Sequence, residues 1–112
     1  MTVFVVQKQM KFDDKTGELV PKFPGLCKAK QWGDLCYLLS PTASPFHPEG
    51  IIAELNEKLS AFKNDDFLLL IGNPALIGAA SAIAARINGG RIKCLQWSGR
   101  HSNYVEIFFT LW

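Results

Sequence analysis

The sequence carries little net charge and no concentration of basic residues. Its 12 Lys and Arg residues nearly balance 10 Asp and Glu residues, which leaves a formal net charge of +2. The basic side chains are scattered along the chain and form no run. Proteins that bind nucleic acid usually concentrate positive charge on one face, so we expect no nucleic-acid partner.

The cysteines and histidines are too few and too irregularly spaced to build a metal or disulfide site. Cys27, Cys36 and Cys94 have no CxxC spacing, which is typical of reduced thiols in a cytoplasmic protein. His47 and His101 lack a third ligand, so we expect no metal and no cofactor. No motif places a nucleophile beside either histidine, which favours a protein that is not an enzyme.

Signals for export and for membrane insertion are also missing. Residues 1–10 lack a basic segment, and their apolar run is shorter than a signal peptide needs. The apolar segment after Pro74 ends near Asn88, before it is long enough to cross a bilayer. We therefore expect a cytoplasmic protein with no membrane association.

The most informative stretch, residues 65–97, predicts a β-α-β unit. Residues 67–71 form a continuous apolar run, as in a strand covered on both faces. Asn73 and Pro74 suit the N-cap and the first position of a helix. The helix should end near Asn88, where two glycines follow, and residues 91–97 should form the next strand.

The flanking segments extend this unit into a sheet. Residues 48–62 carry an apolar stripe at helical spacing, and residues 35–39 form an apolar strand before them. Right-handed crossovers predict that residues 35–39, 67–71 and 91–97 are parallel neighbours. Residues 104–111 should return antiparallel to the last of these after a turn.

The N-terminal third predicts a second hairpin. Residues 2–10 begin as a β-branched strand, and residues 18–23 should return to pair with it. Residues 26–34 should form an irregular or short helical connection anchored by Trp32. The fold class is thus α/β, a mixed sheet built on a three-stranded parallel β-α-β-α-β core with antiparallel hairpins at both ends. We expect one domain over residues 1–112, with the hairpin and connection in 1–34 and the core in 35–112.

The helix after Pro74 is apolar on all sides and rich in alanine. Such a helix must be covered on most of its surface. Either the N-terminal hairpin and the Trp32 segment cover it, or a second subunit does. Small side chains allow close helix approach, so we expect a homodimer.

One candidate site lies where ligands bind in open α/β sheets, beyond the carboxyl ends of the parallel strands. Hydroxyl groups, an amide, a guanidinium and an imidazole follow those strand ends. Together with the start of the helix they predict a phosphate or nucleotide site, although such residues also serve as ordinary turn and cap residues. The candidate ligand residues are Ser40, Thr42, Ser44, Asn73, Arg100 and His101. The segment GNPALIG matches no phosphate-binding signature.

A second candidate surface is the aromatic C-terminal hairpin. Trp97, Arg100, Tyr104 and Trp112 are of the residue types that anchor protein interfaces. Stacking on single-stranded nucleic acid and ordinary core packing are the alternatives for these aromatics. We expect a partner-binding surface here.

Four segments of the chain, residues 38–43, 69–74, 89–93 and 95–100, resemble a family of small proteins encoded by tailed bacteriophages. The resemblance implies a phage protein in the infected host's cytoplasm and carries over no activity. We therefore expect a small phage accessory protein that contacts a host or phage protein, as a homodimer. A phosphate- or nucleotide-binding module is the alternative.

Overall fold

The computed structural model of the protein describes residues 1–22 and 24–112, and in these it has seven strands and two α-helices. The strands are β1 (Thr2–Gln7), β2 (Met10–Phe12), β3 (Leu19–Pro21), β4 (Asp34–Leu39), β5 (Phe67–Leu69), β6 (Arg91–Ser98) and β7 (Asn103–Thr110). The α-helices are α1 (Pro48–Lys58), extended by a 3₁₀ turn (Leu59–Ala61), and α2 (Pro74–Ile87); a further 3₁₀ helix spans Pro24–Trp32.

Five strands form one sheet in the order β4-β1-β5-β6-β7. All neighbours are parallel except β6 and β7. This confirms the predicted fold class. One detail of the prediction is wrong: β4 and β5 are not neighbours, because β1 lies between them and pairs with both.

The central position of β1 follows from its composition. Phe4 and Val6 pack into the core beside α1 and α2, whereas Val3 and Val5 pack into a second core under the 3₁₀ helix. A strand whose side chains are buried on both faces is typical of the middle of a parallel sheet. Thr2–Gln7 is therefore not the hairpin strand that we expected.

The N-terminal hairpin exists but is shorter and separate. Met10–Phe12 pairs antiparallel with Leu19–Pro21, and these two strands form their own sheet. The predicted end of the returning strand, Phe23, lies outside the described residues.

The helices are divided between the two faces of the large sheet. Along the sheet, the step from β1 to β4 runs in one direction, and the steps from β4 to β5 and from β5 to β6 run in the opposite direction. Right-handed crossovers therefore place the 3₁₀ helix on one face of the sheet and α1 and α2 on the other. Trp32 anchors the 3₁₀ helix as predicted: its Nε1–H donates to Glu106 Oε1 at 3.2 Å, and its ring meets Tyr104 edge-on. The Trp32 segment therefore does not cover α2, and that part of the prediction is wrong.

The outward side of α2 carries small residues. Ala75, Gly78 and Ala82 are exposed, while Leu76, Ala80 and Ile83 face the core. No helix within residues 1–22 and 24–112 has both the length and the apolar character to cross a membrane.

Candidate functional site at the carboxyl ends of the parallel strands

The start of α2 is built as the sequence predicts. Asn73 is the N-cap, and its Oδ1 accepts the backbone N–H of Ala75 at 2.9 Å. Pro74 has no N–H to offer. The N–H of Asn73 itself donates to Gln7 Oε1 at 2.9 Å, so these first groups of the helix are already paired within the protein.

Gln7 is the residue that joins the loops at this end of the sheet. Its side chain is 3% exposed. Its side-chain NH₂ group donates to the carbonyls of Ser40 and Ala43 at 3.1 and 3.0 Å, while its Oε1 accepts the backbone N–H of Asn73. One side chain at the end of β1 thus fixes the loop after β4 and the loop after β5, because both neighbour β1.

Gly72 is required for this arrangement. Its φ is +139°, and a Cβ there would lie 2.7 Å from the Cβ of Gln7. A side chain at position 72 would therefore displace Gln7.

The hydroxyl groups of the predicted ligand residues form hydrogen bonds within their own loop. Ser40 Oγ and Thr42 Oγ1 are 2.9 Å apart, and Ser40 Oγ also accepts the N–H of Thr42. Ser44 Oγ accepts the N–H of Phe46. These are the bonds of turn residues. The structure does bring this loop beside Asn73, through Gln7.

Arg100 and His101 lie in the turn between β6 and β7. His101 Nδ1 is 2.7 Å from Ser98 Oγ, and both side chains belong to the same turn. Within the described residues no hydrogen bond joins Arg100 or His101 to the Ser40 loop or to Asn73, and no group of three or more His, Cys, Asp and Glu is placed to hold a metal ion.

A cavity of about 390 Å³ opens beside these loops, on the face of the sheet that carries the 3₁₀ helix. It lies beyond the end of β5, beside the last residues of β6, and next to the residues that follow β1. Its lining is mostly apolar or amide, and no charged residue is among the described lining residues: Gln9, Gly25, Leu70, Ile71, Gly72, Gln96, Trp97 and Tyr104. The sequence reasoning missed Gln7, Gln9 and Gln96, because single glutamines carry no motif.

The indole of Trp97 forms one wall of the cavity and is held in place. It meets Tyr104 edge-on with ring centroids 5.2 Å apart. Lys28 Nζ lies 5.7 Å from the indole centroid, and a Cβ on Gly25 would lie 3.2 Å from the ring. The orientation of the indole is therefore set by contacts within the protein.

The predicted partner-binding residues differ in their exposure. Trp97 is 42% exposed and Trp112 is 72% exposed, whereas Tyr104 is 4% exposed. Burial raises the pKa of Tyr104 above its usual range, and the negative charges that Cys27 and Tyr37 acquire when they ionise add to the shift. Tyr104 thus supports Trp97 and Trp32 from below the surface.

Residues 1–111 of the chain match a family model, which is described as phage Pam3 gp32-like protein. No curated protein matches the chain, and no solved structure does.

Proposed function

Because the chain belongs to the phage Pam3 gp32-like family, we propose that it is a phage accessory protein that acts through protein–protein contacts. The contact surface is the outer edge of β7 and the chain end that follows it. The observation that carries this proposal is an eight-residue edge strand with unpaired backbone groups and exposed aromatic side chains.

The backbone of β7 has a defined outward side. Leu111 donates its N–H to the Gly90 carbonyl at 2.7 Å, in register with the pairing of β6 and β7. Hydrogen bonding alternates along an antiparallel pair, so the N–H and C=O groups of Glu106, Phe108 and Thr110 point away from β6. β7 is the last strand of the sheet, and within the described residues no strand receives these groups.

The side chains at this end are apolar and exposed. Their exposed fractions are 63% for Phe108, 45% for Phe109, 52% for Leu111 and 72% for Trp112. A long apolar edge strand is a ready template for pairing with another strand, and clustered exposed apolar side chains mark interaction sites.

The opposite edge of the sheet is protected, which makes the β7 edge distinctive. Lys58 Nζ donates to the carbonyls of Tyr37 and Leu38 on β4, at 3.4 and 3.0 Å. Lys8 Nζ lies 5.2 Å from the Tyr37 ring centroid. Lys58 belongs to α1 and Lys8 follows β1, so both reach β4 from other elements. Lysines close to an edge strand discourage pairing with another chain.

The occupant that we propose for the β7 edge is a second copy of β7, paired antiparallel. In this dimer the two-fold axis passes between the two copies of Ile107. Glu106 of one copy then lies opposite Phe108 of the other, and their outward N–H and C=O groups can form hydrogen bonds with each other. Glu106 is the only charged residue of β7, so this register opposes no like charges. An isologous dimer of this kind uses the same surface on both copies.

Sedimentation of the purified protein tests this proposal. Phe108→Pro removes one outward N–H and one exposed ring and leaves the pairing with β6 intact, so we expect it to convert a dimer to a monomer. Ala82→Lys on the exposed side of α2 is the matched control and should leave the dimer unchanged. A monomeric wild type, or a dimer lost only in Ala82→Lys, contradicts the β7 edge as the contact.

Contact with a host or phage protein in the host cytoplasm is the wider proposal. The exposed Arg100 and Trp112 lie on the turn that precedes β7 and on the chain end that follows it. Replacing either one by alanine should weaken capture of such a partner if it is an anchor. Unchanged affinity in both variants would contradict their assignment.

The phosphate or nucleotide site at the carboxyl-end loops is the second candidate. The observation in its favour is that Gln7 brings the Ser40 loop and Asn73 together. Saturable stabilisation by inorganic phosphate that is lost in Asn73→Ala would support it, and no stabilisation by phosphate would contradict it.

A further inference from the structure

The cavity beside Trp97 lies at a topological switch point of the sheet. β4 lies on one side of β1 in the sheet. The next strand of this sheet along the chain, β5, lies on the other side of β1. In open α/β sheets, the crevice beyond the strand ends at such a point is the general location of ligand sites. The lining residues Gln9 and Gly72 follow β1 and β5, the two strands that define the switch.

We propose that this cavity binds a neutral, planar heteroaromatic molecule of the nucleobase or nucleoside class. Its volume of about 390 Å³ lies near the lower end of the range typical of small-molecule pockets. The absence of charged residues among the described lining residues disfavours a phosphate or a carboxylate as the group that enters it.

The aromatic wall favours a flat ligand. Trp97 is half-exposed, and Tyr104, Gly25 and Lys28 hold its ring from several sides. A rigid indole offers a surface for stacking that loses little conformational entropy when a planar ligand binds.

Gln9 supplies the polar recognition. The chain has four glutamines, and the amides of Gln7 and Gln31 form hydrogen bonds within the protein. Within the described residues, the side-chain amide of Gln9, which lines the cavity, has no hydrogen-bond partner. Gln96 also contributes to the lining, but successive residues of a strand point to opposite faces, so its side chain lies on the face opposite to that of Trp97. An amide offers a donor and an acceptor together, which matches the edge of a nucleobase.

Thermal unfolding tests the proposal directly. The probes are adenosine, guanosine, cytidine and thymidine, with inorganic phosphate in a separate arm. We expect at least one nucleoside to raise the melting temperature in a saturable manner. The same nucleoside should change the tryptophan fluorescence of Trp112→Phe but not that of Trp97→Phe.

Matched glutamine variants locate the site. Gln9→Leu should weaken nucleoside binding by about 10-fold or more, because it removes the hydrogen-bonding amide and keeps the volume. Gln31→Leu, on the 3₁₀ helix outside the cavity, should leave binding unchanged. The monomer-forming Phe108→Pro should also bind, which separates this proposal from the proposed function.

Three results would overturn the proposal. The first is no stabilisation by any of the four nucleosides. The second is equal binding by wild type, Gln9→Leu and Trp97→Phe. The third is stabilisation by phosphate alone with loss in Asn73→Ala, which would assign the ligand to the carboxyl-end loops.

Discussion

At the scale of single residues, Gln7 decides how the loops at the carboxyl ends are arranged. Its buried amide forms hydrogen bonds with three backbone groups that belong to two different loops. The sequence gives only a weak signal for this role, a polar residue directly after an apolar strand. The role depends on the neighbours of β1 in the sheet, which are distant in sequence.

We predict that Gln7→Leu lowers the free energy of unfolding by about 1–3 kcal/mol, because it leaves buried backbone groups without partners. Denaturant unfolding measures the change. Gln96→Leu is the matched control, since the side chain of Gln96 is exposed and makes no hydrogen bond within the described residues. Equal stability of Gln7→Leu and wild type would contradict the structural role of Gln7.

Cys94 gives a prediction about pH. Burial raises the pKa of its thiol to about 11 from an ordinary value of 9.0, so folding favours the protonated thiol. Its contribution to stability is present below pH 9 and is lost as the pH rises towards 11. Unfolding free energies across this interval should fall less steeply in Cys94→Ala than in wild type, with exposed Cys27→Ser as control. Parallel slopes would show that Cys94 does not contribute.

At the scale of elements, the features that depend on neighbouring residues in the sequence were predicted correctly. The features that depend on contacts between distant segments were not. The start of α2 depends on Asn73 and Pro74 alone, and the structure has the predicted cap. The position of β1 depends on which strands it neighbours. Its run of Val and Phe residues was compatible with a hairpin strand, although burial on both faces is the property of a central one.

The cap of α2 carries a prediction of its own. Asn73→Ala should lower the free energy of unfolding by about 1 kcal/mol, because the N–H of Ala75 loses its partner. Chemical denaturation followed by circular dichroism measures this. Asn73→Asp keeps the accepting oxygen and should retain most of the stability, and a destabilisation equal to that of Asn73→Ala would contradict capping as the cause.

At the scale of the whole molecule, the two edges of the sheet are treated differently. Lys58 and Lys8 contact residues of β4, whereas β7 ends in a run of exposed aromatic residues. The sequence showed the aromatics but not that β7 is an edge strand, because strand order is a property of the folded chain. The cavity could not be predicted from the sequence either, since it joins residues from five separate segments.

Site-resolved amide hydrogen exchange on β7, measured at low and high protein concentration, is the most direct test of the proposed contact. We predict that the outward amides of Glu106 and Phe108 exchange fast in dilute protein and become protected as the dimer forms. The inward amides of Ile107 and Phe109, which face β6, should be protected at both concentrations and serve as internal controls. Outward amides that remain unprotected at high concentration would contradict pairing through β7.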